Sequence, residues 1–194
     1  MKTIRYIVLI AAVLGQTAIM HAEFRAGIAV QIVTPDPLLP VSGGVGPSNP
    51  VTKKHGDLTV RAIVLESGGT RVAFVSTDFL GFPAALGDRV RKQVKSIPAG
   101  NILIGATHTH SAPVCYVFPN GKGGTDADLE YLDFVCNKAA EAINEAIAEL
   151  QPASLRIATG KANGKIAYNY YAPKLYDPRC NVMQAVDRDG KPFA

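Results

Sequence analysis

Histidine is scarce in this sequence and cysteine scarcer, with four of one and three of the other in 194 residues. Cys115, Cys136 and Cys180 allow at most one disulfide, which excludes a small scaffold held by cross-links. Their spacing is not that of a structural zinc site, so they read as small core residues. Charge of one sign is lacking too. The formal net charge is +4, and removing Lys2 and Arg5 with an N-terminal leader takes it to +2. That balance, with no basic stripe interleaved with aromatics, argues against a nucleic-acid partner. Charge runs and low-complexity tracts are absent, and the length suits one compact domain with a real core.

Long apolar runs are missing except at the start. Lys2 and Arg5 precede an apolar segment over residues 6–20, and Ala22 offers a small residue before a cut. This is the pattern of a secretory signal, although Met20 fits the cleavage rule poorly. The run is short for a membrane span and contains Gly15 and Gln16. Residues 1–22 are therefore expected to leave on export, to the periplasm or outside, and residues 23–194 to form the mature domain. His21 would leave with them, so His55, His108 and His110 would remain.

What is present reads as a mixed α/β fold, a mixed sheet with flanking helices. Residues 24–33 alternate as a strand, with Ile28, Val30 and Ile32 on one face. Residues 34–50 are dense in Pro, Gly and Ser and form a long loop, which serves as a lid or binding wall or carries no order. Residues 58–66 and 71–77 are strands around Ser67-Gly68-Gly69-Thr70, a hairpin signal. Asp78 follows the second of them. The spacing predicts a helix over 83–97, opened by Pro83 and stopped by Pro98. A second helix is expected from the capping signal at Thr125–Asp128 to about Gln151, burying Leu129, Leu132, Cys136, Ala139, Ala140, Ile143, Ile147 and Leu150. Residues 153–158 and 181–186 read as strands, separated by a loop carrying Tyr168, Tyr170, Tyr171 and Tyr176. Clustered tyrosines can line a cleft or simply pack half-buried. Asp189-Gly190 is a turn, and residues 191–194 look like the opening of a partner strand, so the sequence is expected to continue.

The most informative stretch is Asn101–Tyr116, N-I-L-I-G-A-T-H-T-H-S-A-P-V-C-Y. A strand over 102–106 runs into a polar tip bearing His108 and His110. In an extended backbone residues i and i+2 share a side, so both imidazoles would face the same way. Paired neutral imidazoles are half of a zinc site, which takes three or four ligands. The tip also follows a helix and a strand, the order that puts ligands at strand carboxyl ends in open α/β sheets. Read plainly, it is a polar loop with two unrelated histidines. The zinc reading requires the His108 ring to face a cleft with room for an ion.

Gly105–Pro113, G-A-T-H-T-H-S-A-P, resembles the G-T-H-T-H-S-G-P signature of the neutral/alkaline, non-lysosomal ceramidases. H-G-D-L-T-V-R-A at 55–62, V-S-T-D at 75–78 and the strand and turn at 186–192 resemble that family's segments in the same order, so the likeness covers essentially all of the mature chain. The resemblance implies a zinc-dependent amidohydrolase that cleaves the N-acyl amide of ceramide to sphingosine and a fatty acid. It implies His108 as a zinc ligand and His110 as a pocket residue touching substrate or water, a hydrogen-bond partner or proton carrier near the leaving amine. The family's other ligands and its catalytic serine match no residue here, and the remainder of the catalytic domain is expected beyond Ala194. On that reading the 194 residues alone are inactive.

Asp78 either orients a ligand or caps the turn before Pro83, and His55 and Asp57 are weaker candidates. Asn169 and Tyr170 fall where the family has an N-R pair at the substrate end. Tyr170 offers one neutral hydrogen bond in place of a charged fork. That departure favours a second reading, a related exported metallohydrolase acting on another amide or ester, while the early stop of the sequence favours a third, a truncated non-catalytic remnant. The implied partners are a lipid or other N-acyl amide substrate and a membrane surface at the periphery.

Overall fold

The computed structural model describes residues 23–42, 48–120, 122–164 and 168–194. The expected leader, 1–22, lies outside the described residues. So do 43–47 of the long loop, residue 121 and residues 165–167 of the tyrosine-rich loop. Among the described residues no helix is long and apolar enough to cross a membrane.

The main sheet holds five strands in the order β4-β3-β2-β1-β5. They are β1 (Arg25–Ile32), β2 (Thr59–Ser67), β3 (Thr70–Thr77), β4 (Ile102–Ala106) and the short β5 (Gln151–Pro152). β2 and β3 form the antiparallel hairpin read from sequence. Its turn glycines, Gly68 and Gly69, have φ of 57° and 77°, the left-handed values that a two-residue hairpin turn demands. β4 lies parallel to β3, with Thr77 opposite Ala106. A parallel neighbour needs a crossover, and the helix α1 (Ala84–Gln93) supplies it. The long helix α2 (Leu129–Ala148) follows. Strands β6 (Ser154–Lys161) and β7 (Arg179–Val186) form a separate two-stranded sheet. The chain then turns back, with Pro192 bridging Val186, as the Asp189-Gly190 signal anticipates.

The core lies between the sheet and the helices. Val60, Ala62 and Val64 of β2 and Ala73 and Val75 of β3 meet Leu86 and Val90 of α1 and the inner stripe of α2. Each large apolar side chain so buried contributes roughly 1.5–3 kcal/mol. Two sequence expectations are corrected here. The first helix ends at Gln93, not Ile97, because Val94 is extended (φ −92°, ψ 105°). Val94 and Ile97 still reach the core, but from beyond the end of the helix. Second, Leu129 is 51% exposed. It is the first helical residue after the Asp128 N-cap, and Tyr131 fills the core place instead, its hydroxyl donating to Val33 O at 2.7 Å.

β1 alternates as its sequence indicates. Its Ile28–Val30–Ile32 face points away from the helices, and Val30 is 54% exposed. α2 packs on the opposite, small-residue face. An added Cβ at Gly27 would lie 2.0 Å from Ala146 O, so only glycine lets the helix approach that closely. Ile28, Ile63, Phe74 and Leu103 stand in register across four strands on this outer face.

Candidate functional site

The polar tip begins where β4 stops. Thr107 N–H donates to Thr77 O at 2.9 Å, which carries the β3–β4 pairing one residue past the strand. Thr77, fully buried, closes the same junction by donating its hydroxyl to Gly105 O at 3.1 Å. The carboxyl ends of two parallel strands are thus fastened side by side.

Asp78 ties this junction to β2. Its Oδ2 accepts the Thr59 N–H at 2.9 Å and the Thr59 hydroxyl at 2.7 Å. Its Oδ1 accepts the Thr107 hydroxyl at 3.3 Å and lies 3.4 Å from the Arg61 guanidinium. Burial alone would raise its pKa. The two Thr59 hydrogen bonds, with Arg61 and Thr107, outweigh that and hold the carboxyl below the ordinary aspartate value. With both oxygens so occupied, Asp78 is a positioning group.

His108 departs from the extended backbone expected for the tip. Its φ is +62°, the left-handed region that non-glycine residues seldom occupy. Alternation of side chains therefore does not bring the two imidazoles together. They meet through this turn instead, with ring centroids 5.2 Å apart and planes at 85°. His108 Nδ1 lies 2.7 Å from Leu80 O. A carbonyl only accepts, so Nδ1 carries a proton, and in the neutral ring Nε2 is then the lone-pair nitrogen. That is how a second-sphere carbonyl orients a metal-binding imidazole.

Both histidines are exposed, and the described residues do not by themselves close around them the cleft that the zinc reading requires. Among the described residues no group of three or more His, Cys, Asp or Glu side chains is placed to hold a metal. The donors fit zinc in kind, as neutral imidazole nitrogens, and fall short in number.

Two residues that the sequence reading passed over belong to this site. Leu80 acts through its carbonyl, which no side-chain pattern announces. Gly81 lies beneath Tyr116, where an added Cβ would sit 1.9 Å from the phenol oxygen. Its own carbonyl accepts the buried Cys115 thiol at 2.9 Å. Burial pushes that thiol's pKa up, which suits a packing role.

Asn169 organises its own loop, accepting Tyr171 N–H and Ala172 N–H and donating to Leu175 O. Tyr170 is 78% exposed and stacks edge-on against Tyr171. His55 and Asp57 lie at the start of β2. Asp57 pairs with Lys54 and accepts the Thr34 hydroxyl, which lowers its pKa.

No family model matches the chain. Neutral ceramidase B of Dictyostelium discoideum is 28% identical over 162 residues, covering 72% of this chain and 23% of its own length. A solved ceramidase complexed with C2 superposes with a TM-score of 0.66 and 21% identity, over 88% of this chain and 30% of that one. The neutral ceramidase of Pseudomonas aeruginosa gives the same TM-score at 20% identity, with the same coverage. The fold is thus the mixed α/β scaffold that these ceramidases share. The matches support a relationship to the neutral ceramidase family, over the part of its members that this chain spans. That part is 23% of the curated relative's length.

Proposed function

We propose that this chain is the histidine-bearing part of a zinc-dependent amidohydrolase that cleaves the N-acyl amide of ceramide or a closely related lipid. The observation that carries the reading is the His108–Leu80 hydrogen bond at the carboxyl ends of two parallel strands. It fixes the tautomer and aims a single nitrogen lone pair, an arrangement that a merely solvated histidine does not need. The resemblance of the histidine motif and the ceramidase relatives supply the reaction class.

Zinc, when held by a complete ligand set, supplies Lewis acidity at an amide carbonyl and a water of lowered pKa. This chain's own contribution is narrower. His108 offers Nε2, held in orientation by Leu80, and Asp78 with Thr59 and Thr107 fixes the strand ends beneath it. His110, edge-on to His108, stands where it can carry a proton toward a leaving amine. One or two imidazoles do not make a zinc site, so the 194 residues alone hold the ion weakly and do not turn over substrate. Export, implied by the N-terminal pattern, would place this chemistry outside the cytoplasm, where it meets lipid at a membrane surface.

The test is a panel of N-acyl-sphingosines, simpler N-acyl amides and esters, assayed on a longer polypeptide carrying this segment. Chelator-sensitive amide cleavage that His108→Asn abolishes is the expected result. Cleavage indifferent to chelator and to that substitution contradicts the reading. Ester cleavage alone favours a related hydrolase with another substrate, for which the exposed Tyr170 in place of a charged arginine already speaks.

A further inference from the structure

Against the histidine tip lies a cavity of about 330 Å³, with Ser111 and Pro113 of the tip in its lining. Thr34, Pro35, Leu38, Leu39 and Val41 wall one side with Val51, and residues 41 and 42 are stitched to the tip itself. Ser42 N–H donates to Ala112 O at 2.8 Å, and Val41 bridges both Asn49 and Pro113. The inner surface is apolar, with Leu38, Leu39, Val41, Val51, Leu58 and Pro113. Lys53, Lys54 and His55 also line it, and all three are exposed. The positive charge there is not fully spent. Lys54 is neutralised by Asp57, but Lys53 has no acidic partner among the described residues.

The combination has one chemical complement. An apolar slot of this volume falls at the small end of ligand pockets, which run from about 300 to 1,000 Å³. It takes an alkyl chain, and an ammonium at its edge selects an anionic end over a neutral or cationic one. We propose that this cavity binds a long-chain carboxylic acid, with the chain along the Leu39–Val51 wall and the carboxylate at Lys53. The ligand class deepens the reading above, since N-acyl amide cleavage releases such an acid. The binding itself uses neither His108 nor zinc, so the two readings can fail separately.

The test is calorimetric titration of the purified 194-residue chain, with chelator present, using decanoate below its critical micelle concentration. Decanol, decyltrimethylammonium and acetate are the comparison ligands. One decanoate per chain is expected, with weaker binding of all three comparators. Lys53→Glu should weaken decanoate by about fivefold, the scale of an exposed ion pair. Val51→Asp should remove binding, while His108→Asn leaves it unchanged. The proposal is overturned by absent or non-stoichiometric decanoate binding, by equal affinity for decanol, by an unaltered affinity in Lys53→Glu, or by loss of binding in His108→Asn. Circular dichroism checks that Val51→Asp still folds, and Lys53→Glu carries the test if it does not.

Discussion

Leu80 O and His108 Nδ1, 28 residues apart in sequence, meet at 2.7 Å across the ends of β3 and β4. This pair converts a flexible polar tip into a directed donor. It depends on the short Phe79-Leu80-Gly81 segment that leaves β3, so disturbing that segment should disturb the imidazole.

Gly81→Ala tests the dependence. The new Cβ would lie 1.9 Å from the Tyr116 hydroxyl oxygen and 2.7 Å from the ring carbon bearing it. Something must shift, at a cost of about 1–3 kcal/mol. Chemical denaturation should show that loss, and adding Tyr116→Ala should recover part of it. Equal stability of wild type and Gly81→Ala would show that the phenol swings away freely.

Gly27→Ala tests the contact between sheet and helix. The added methyl meets Ala146 O, Glu149 C and Leu150 N, all backbone atoms that cannot rotate aside. A loss of at least about 2 kcal/mol is expected in the urea midpoint, larger than for Gly81→Ala. Gly105→Ala, with nothing within 4 Å of the added carbon, should by comparison cost little from steric crowding.

Asp78 should leave a signature in the pH dependence of stability. Its folded-state pKa lies below its ordinary value, so folding favours the ionised form. That contribution is complete above the ordinary aspartate pKa of about 3.9 and is lost as pH falls through the lower folded value. Asp78→Asn should destabilise by about 1–2 kcal/mol at pH 7, through weakened bonds to Thr59 and Thr107. The gap between the two proteins should close below about pH 4. A gap that persists undiminished at low pH would deny the carboxylate this role.

Much of the scaffold was legible because its signals are local. The β2–β3 hairpin follows from two glycines free to adopt positive φ, and β4 matches its apolar run of Ile102–Ala106. The buried face of β1 was not legible. Ile28, Val30 and Ile32 look like core, yet the helix chose Gly27 and Ala29 because small residues permit closer approach. In the same way, H-x-H suggested a shared face by alternation, and the turn at His108 achieves proximity by breaking that alternation. The site's key acceptor, Leu80 O, is a backbone atom and leaves no trace in side-chain patterns. Asn169 and Tyr170 came from resemblance alone, and the Asn169 hydrogen bonds serve its own loop.

The central claim is that His108 presents a single, oriented nitrogen to a metal ion. Nitrogen-15 NMR of histidine-labelled protein, titrated with zinc chloride, tests it most directly. Before zinc, His108 should show Nδ1 protonated, as the Leu80 bond requires. Zinc should then shift its Nε2 resonance weakly and saturably, and His108→Asn should remove that response. A His108 ring protonated at Nε2, or one whose resonances ignore zinc while those of His55 respond, would contradict the account.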